Sequence, residues 1–154
     1  MRRQHIDITT DTAADPAAVY ALLTDGATWP DWSPIDSFEL ERQGSDAPEG
    51  VGAVRVFRNG RIEGRDTIVE RVPDRRLSYT HVSSLPVEDY RADVDLEPHG
   101  SGTRIRWHAS FTATVPGTGP FLRLALRRFL HQCAEGLAAA APAGEASSNT
   151  EPEG

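Results

Sequence analysis

The sequence predicts an α+β domain in which a curved antiparallel sheet of about seven strands wraps around a long C-terminal helix, with two short helices after the first strand. Three observations lead there. From Ser37 to Phe111 apolar and polar residues alternate two by two between clusters of turn residues. After Pro116-Gly117-Thr118-Gly119-Pro120 the repeat lengthens to about 3.6 residues, the period of a helix. Between two of the alternating runs stands Asn59-Gly60, a strong hairpin signal.

Taken in order, Ile6-Asp7-Ile8-Thr9 is the first strand. Asp15-Pro16 then supplies a capping residue and a proline suited to a first helical turn. A short helix is expected over Ala17 to Thr24, with Val19, Leu22 and Leu23 on one face, and a further turn over Thr28 to Trp32. Six strands follow: Ser37 to Gln43, Ala53 to Arg58, Arg61 to Val72, Arg76 to Ser83, Tyr90 to Leu96 and Thr103 to Phe111. The last helix carries Leu122, Leu126, Phe129, Leu130, Cys133 and Leu137 as one stripe and runs to about Ala140. Residues 1–140 are thus read as one domain and 141–154 as a disordered tail. Strictly alternating strands imply a sheet with one wet face. A helix crossing the concave side of so long a twisted sheet cannot touch it everywhere, and the gap is a pocket.

Composition narrows the chemistry. With 38% hydrophobic and 25% charged residues among 154, the chain is that of a folded domain. The net charge of −7 argues against nucleic acid as a partner. All sixteen basic residues are arginine, so Schiff-base and phosphate-loop lysine chemistry are excluded. Neither a signal peptide nor a membrane span is legible, and Cys133 has no second thiol, so a cytoplasmic location is expected. One cysteine and no pair of ligands at helical spacing give no metal site. No Gly-rich loop joins a strand to a helix, so no cofactor is expected.

Several side chains are candidates for a site. Trp29 and Trp32 form either an apolar wall of the pocket or a plug at one end of the core. On the strand from Arg61, Ile62 and Ile68 favour a face that also turns Gly64, Asp66 and Glu70 inward; desolvation of an inward Asp66 would make it a base. Tyr79 and His81 share a face with Leu77, and His81 is the best acid/base candidate of the five histidines, His5, His99 and His108 reading as exposed. A solvated charged face and a structural histidine are the competing readings. Tyr90, Trp107 and Phe129 lie on faces that would line the pocket.

The segments Asp15-Pro16-Ala17-Ala18-Val19-Tyr20-Ala21-Leu22-Leu23, Trp29-Pro30-Asp31-Trp32, Glu70-Arg71-Val72-Pro73-Asp74-Arg75-Arg76-Leu77-Ser78-Tyr79 and Gly102-Thr103-Arg104-Ile105-Arg106-Trp107 resemble the START-like, Bet v 1-like helix-grip superfamily (SRPBCC), polyketide cyclase/dehydrase branch. The resemblance spans roughly residues 4 to 140 and implies a helix-grip fold. It also implies a small hydrophobic or aromatic polyketide-like ligand and cofactor-independent cyclisation or dehydration in secondary metabolism, or else carriage of a lipid or quinone. By that resemblance Arg71, before Val72-Pro73-Asp74, enters the pocket to polarise a ketone, and Trp29 lines it. It turns Arg65 inward too, on the opposite face from Asp66; a bulge would reconcile the two. Where those enzymes carry a pocket tyrosine, Ile35-Asp36 stands here. A monomer or a homodimer fits equally.

Overall fold

The computed structural model describes residues 2–143; the tail expected beyond them, from residue 144 on, lies outside the described residues. Seven antiparallel strands form one sheet: β1 (Arg3–Thr12), β2 (Ser37–Arg42), β3 (Val54–Asn59), β4 (Ile62–Val72), β5 (Arg76–Ser83), β6 (Val87–His99) and β7 (Gly102–Ala113). Their order is β1-β7-β6-β5-β4-β3-β2, so every neighbour from β2 to β7 is a sequence neighbour and only β1 is recruited from afar. Between β1 and β2 lie α1 (Pro16–Leu23), a 3-10 turn (Gly26–Thr28) and the single turn α2 (Trp29–Trp32). The long α3 (Gly119–Ala140) closes the chain over the concave face. This is the architecture expected.

Local chemistry places these elements. The Asp15 carboxylate accepts from the Ala18 amide at 3.1 Å and Pro16 opens α1. The Thr24 hydroxyl closes the helix by donating to the Tyr20 carbonyl at 2.9 Å. The hairpin between β3 and β4 forms one residue later than the dipeptide suggests. Asn59 pairs with Ile62, and the loop is Gly60-Arg61, with Gly60 supplying the positive φ of 62°. Two strands also exceed their alternating cores. β1 gains residues because all ten pair with β7, and β6 extends to both sides of Tyr90–Leu96 through pairing with β7.

Register sorts the side chains into two faces. On the concave side Ile6, Ile8, Leu77, Ala92, Val94, Trp107 and Phe111 pack beneath Leu130, Cys133 and Leu137 of α3, all buried. Each such side chain contributes about 1.5–3 kcal/mol of burial. At the other end the chain of Trp32 approaches α3 so closely that a Cβ on Gly136 would overlap the Trp32 carbonyl oxygen. The outer face is a lattice of charges: Arg106 with Asp7 at 2.7 Å, Arg76 with Asp95 at 2.6 Å, Arg91 with Asp93 at 3.1 Å. His108 belongs to it, half-buried and 2.7 Å from Asp95 rather than freely exposed. The Asp95 carboxyl would be raised by its partial burial. Hydrogen bonds and charge from Arg76 and His108 hold it below the usual range instead.

Candidate functional site

α3 lies nearest β1 and β7 and leaves the sheet uncovered over β3, β4 and β5. There a cavity of about 250 Å³ opens, walled by Trp29, Phe57, Ile62, Leu122, Leu126 and Phe129. Its polar groups sit on the sheet floor. Register sets Arg55, Asp66, His81 and Tyr90 directly opposite one another on β3, β4, β5 and β6. Directly opposed residues of an antiparallel pair share a face, so one row of four polar side chains crosses the concave surface.

Inside that row Asp66 Oδ1 lies 2.6 Å from His81 Nδ1. The Asp66 side chain is 7% exposed and that of His81 20%, so the pair is shielded without being sealed. Burial, the largest single influence, pulls the His81 pKa down. The hydrogen bond and charge of Asp66 together outweigh it, and the net value lies above the ordinary 6.5. Gly64 makes room for the ring, because a Cβ there would strike His81 Cε1. The Tyr90 ring sits 5.0 Å from the imidazole, centroid to centroid. Tyr79 accepts a hydrogen bond from Trp107 Nε1 at 3.1 Å, which leaves its own O–H free to donate. Burial raises both phenols far above their ordinary pKa, so they stay protonated donors. The Cys133 thiol is pushed up likewise.

Of the residues singled out from sequence, Asp66, His81, Tyr79, Tyr90, Trp29, Trp107 and Phe129 line this one cavity. Trp32, Arg65 and Arg71 do not. Trp32 lies behind Trp29, 7% exposed, with its indole N–H donating to the Thr28 hydroxyl at 3.0 Å; it is a plug of the core. Arg65 is on the outer face, ion-paired with Glu41 and Glu63 at 3.0 Å each. Its charge has partners there that a concave position would have denied it. Arg71 is subtler. The register shift between Ile68 and Glu70 adds a residue, so Arg71 comes opposite Leu77 and faces the concave side, as a bulge allows. α1 intercepts it there: Arg71 Nε donates to the Tyr20 hydroxyl at 3.0 Å and Nη1 to the Glu49 carbonyl at 3.2 Å. Its guanidinium anchors α1 over the sheet and does not reach the cavity.

Sequence reasoning passed over Arg55, which is 0% exposed. Its Nη1 donates to the Leu23 carbonyl at 2.9 Å and meets Glu49 at 3.4 Å, while its plane lies 5.0 Å from the Trp29 ring and 5.1 Å from Phe57. Among the described residues Nε and Nη2 have no hydrogen-bond partner. The signal was available in the period of two, since Arg55 stands two residues before inward Phe57. Ile35, Leu85 and Ala125 complete the wall. Among the described residues no three His, Cys, Asp or Glu side chains converge as a metal-binding group, and no helix is long and apolar enough to cross a membrane.

Comparison with known proteins bears on the fold and the family. A START superfamily protein from Mycobacterium smegmatis has the same fold, with a TM-score of 0.77 at 12% identity over 89% of this chain and 96% of that one. Ara h 8.0201 superposes with a TM-score of 0.74 at 15% identity, covering 91% of this chain and 98% of its own. In sequence, the chain is 27% identical over 131 residues to uncharacterized proteins of Mycobacterium bovis and Mycobacterium tuberculosis, covering 79% of this chain and 77% of theirs. The family described as "Polyketide cyclase / dehydrase and lipid transport" matches residues 3–142. That match takes in every strand, all three helices and the whole cavity, and the chain belongs to this family.

Proposed function

We propose that the cavity binds a polyketide-like or other aromatic, largely apolar molecule and catalyses its cyclisation and dehydration without a cofactor. The observation that carries this reading is the 2.6 Å contact of Asp66 with His81 on the floor of a largely apolar chamber. With Asp66 accepting from Nδ1–H, the imidazole is fixed in the tautomer that leaves Nε2 to exchange a proton with the ligand. His81 takes a proton from a carbon flanked by carbonyls. The resulting enolate carbon bonds to a second ketone carbon of the same molecule, and the imidazolium returns the proton to the new alkoxide. Loss of that hydroxyl with a neighbouring hydrogen releases water.

The apolar walls fold the flexible chain so that the two carbons meet. The neutral hydroxyls of Tyr79 and Tyr90 lie on the same floor and supply hydrogen bonds to the enolate oxygen. This gives the tyrosines the carbonyl-polarising part that the resemblance assigns to Arg71. Incubation with a synthetic poly-β-ketone thioester, followed by mass spectrometry, tests the assignment. A product lighter by one water, formed by the native protein and not by His81→Asn or Asp66→Asn, supports it. Turnover that survives both substitutions rejects it.

A second reading, a carrier of a lipid or quinone, has its own support. Beyond that polar floor and Asn59 the walls are aliphatic and aromatic, and the family description includes lipid transport. Native mass spectrometry of the purified protein with fatty acids and quinones separates the two: a carrier retains a ligand of unchanged mass.

A further inference from the structure

The outer side of α3 does not match its surroundings. Phe121 is 71% exposed and Leu124 66%, although large apolar side chains elsewhere in this helix are buried or half-buried. Phe121, Leu124 and Arg128 succeed one another at i, i+3 and i+7, and the exposed Arg127 flanks them. Arg123 lies between, half-buried. Among the described residues none of these three arginines has an ion pair, while arginines of the outer sheet face have carboxylates within reach. Arg104 and Arg106 draw their carboxylates from β1, whereas α3 itself carries a single acidic residue, Glu135, in its second half. In a chain of net charge −7, no acidic residue occurs between Pro98 and Ala134. The opposite side of the same turns, through Leu122, Ala125, Leu126 and Phe129, is the wall of the cavity.

We propose that the outer face of the first three turns of α3 docks on an anionic lipid surface, with Phe121 and Leu124 entering the headgroup boundary and Arg127 and Arg128 meeting lipid phosphates. Bulky side chains that protrude singly from a basic helix suit an interface that yields to them. A folded protein partner would need a broad apolar patch of roughly 800 Å² per side, and only two large side chains stand out here. Charge chooses the lipid: guanidinium groups with no ion pair among the described residues are drawn to an acidic leaflet and indifferent to a zwitterionic one. Docked this way, the cavity wall lies about one helix diameter, roughly 10 Å, from the bilayer, so an apolar ligand has a short path between membrane and chamber. The docking stands whether the cavity turns its ligand over or only holds it.

Co-sedimentation of the full chain with phosphatidylcholine vesicles containing roughly one-third phosphatidylglycerol, against phosphatidylcholine alone, tests the proposal. Binding to the first and not the second is expected, and it should fade as salt is raised. Arg127→Gln with Arg128→Gln should weaken it about 30-fold. Phe121→Ser with Leu124→Ser should weaken it at least about tenfold. Both pairs lie outside the cavity lining, so uptake of the dye anilinonaphthalene sulfonate and the circular dichroism spectrum should not change. Vesicle binding that ignores lipid charge, or that survives both pairs, overturns the proposal. So does a native chain that leaves the acidic vesicles in the supernatant, whether it self-associates or binds an acidic protein through this face instead.

Discussion

The two faces of the sheet use charge in opposite ways. Outside, arginines and carboxylates stand half in water and pair across neighbouring strands, as Arg106 does with Asp7 and Arg104 with Asp11. Side chains that exposed gain little from one another, because solvent screens them and holding two long chains in place costs entropy. Inside, charge is rarer and each group is specifically held: Arg55 beneath two aromatic rings, Arg71 against Tyr20 and Asp66 against His81. The lesson is that the number of ion pairs says little about either stability or function here, whereas the burial of each pair says much.

The largest expected effect is therefore on the inner face. On the cyclase reading, Asp66→Asn and His81→Asn should each lower turnover by roughly 10²–10⁴-fold, checked by product formation in the mass-spectrometric assay, with thermal unfolding as the control for folding. If the losses match those of Arg106→Ala, the contrast between faces has no catalytic meaning. Next, Arg55→Ala should destabilise by about 3 kcal/mol, since it empties a packed site and strips the buried Leu23 carbonyl of a donor. Arg55→Met should restore most of the loss, because its side chain refills the packed site without burying the unpaired guanidinium nitrogens of the arginine. Urea unfolding decides both. An Arg55→Met variant as weak as Arg55→Ala would show that the charge, and not the volume, is needed.

A smaller effect separates the faces by pH. The pKa of His81 is raised in the folded protein, so its pairing with Asp66 stabilises fully below 6.5 and fades as pH rises through the raised value. Asp95 is lowered, so its contribution is present above 3.8 and fades as pH falls through the lowered value. Asp66→Asn should flatten the fall of Tm as pH rises from 6.5, where the native pair loses the imidazolium proton. An unchanged slope there would mean that His81 gains no stability from its partner. Smallest of all, a double-mutant cycle on Asp7 and Arg106 should give a coupling below about 1 kcal/mol that vanishes at high salt. A larger, salt-resistant value would erase the distinction drawn between the faces.

These contrasts bear on what a sequence can reveal. β7 shows its two faces plainly, since Ile105, Trp107, Ala109 and Phe111 alternate with Arg104, Arg106, His108 and Ser110 without interruption. His81 was legible through Leu77 and Tyr79 on its face, whereas Asp66 lay on one of two open faces, favoured by Ile62 and Ile68 while the resemblance favoured that of Arg65. Arg71 was harder, because its fate depends on an extra residue at Val69 and on a tyrosine fifty-one positions away. Neither leaves a mark on the local period. Arg55 was passed over because a charged residue on a strand ordinarily lies in water, and only the packing of Trp29 and Phe57 around it makes the exception stable. Local alternation thus specifies a face, and long-range contact decides what lies on it.

The missing side chain at Gly136 has a mechanical consequence. Because the Trp32 carbonyl rests against that bare stretch of α3, the turn carrying Trp29 and the helix carrying Phe129 are clamped into one rigid jaw. No such clamp holds the other side of the chamber, lined by Asn59 and Ile62 at the β3–β4 hairpin and Leu85 in the β5–β6 loop. The chamber is then a purse stitched shut at one end and drawn at the other. Opening is therefore expected at the hairpin, where a cross-link should slow release of a bound molecule and leave the Trp29–Phe129 side unchanged.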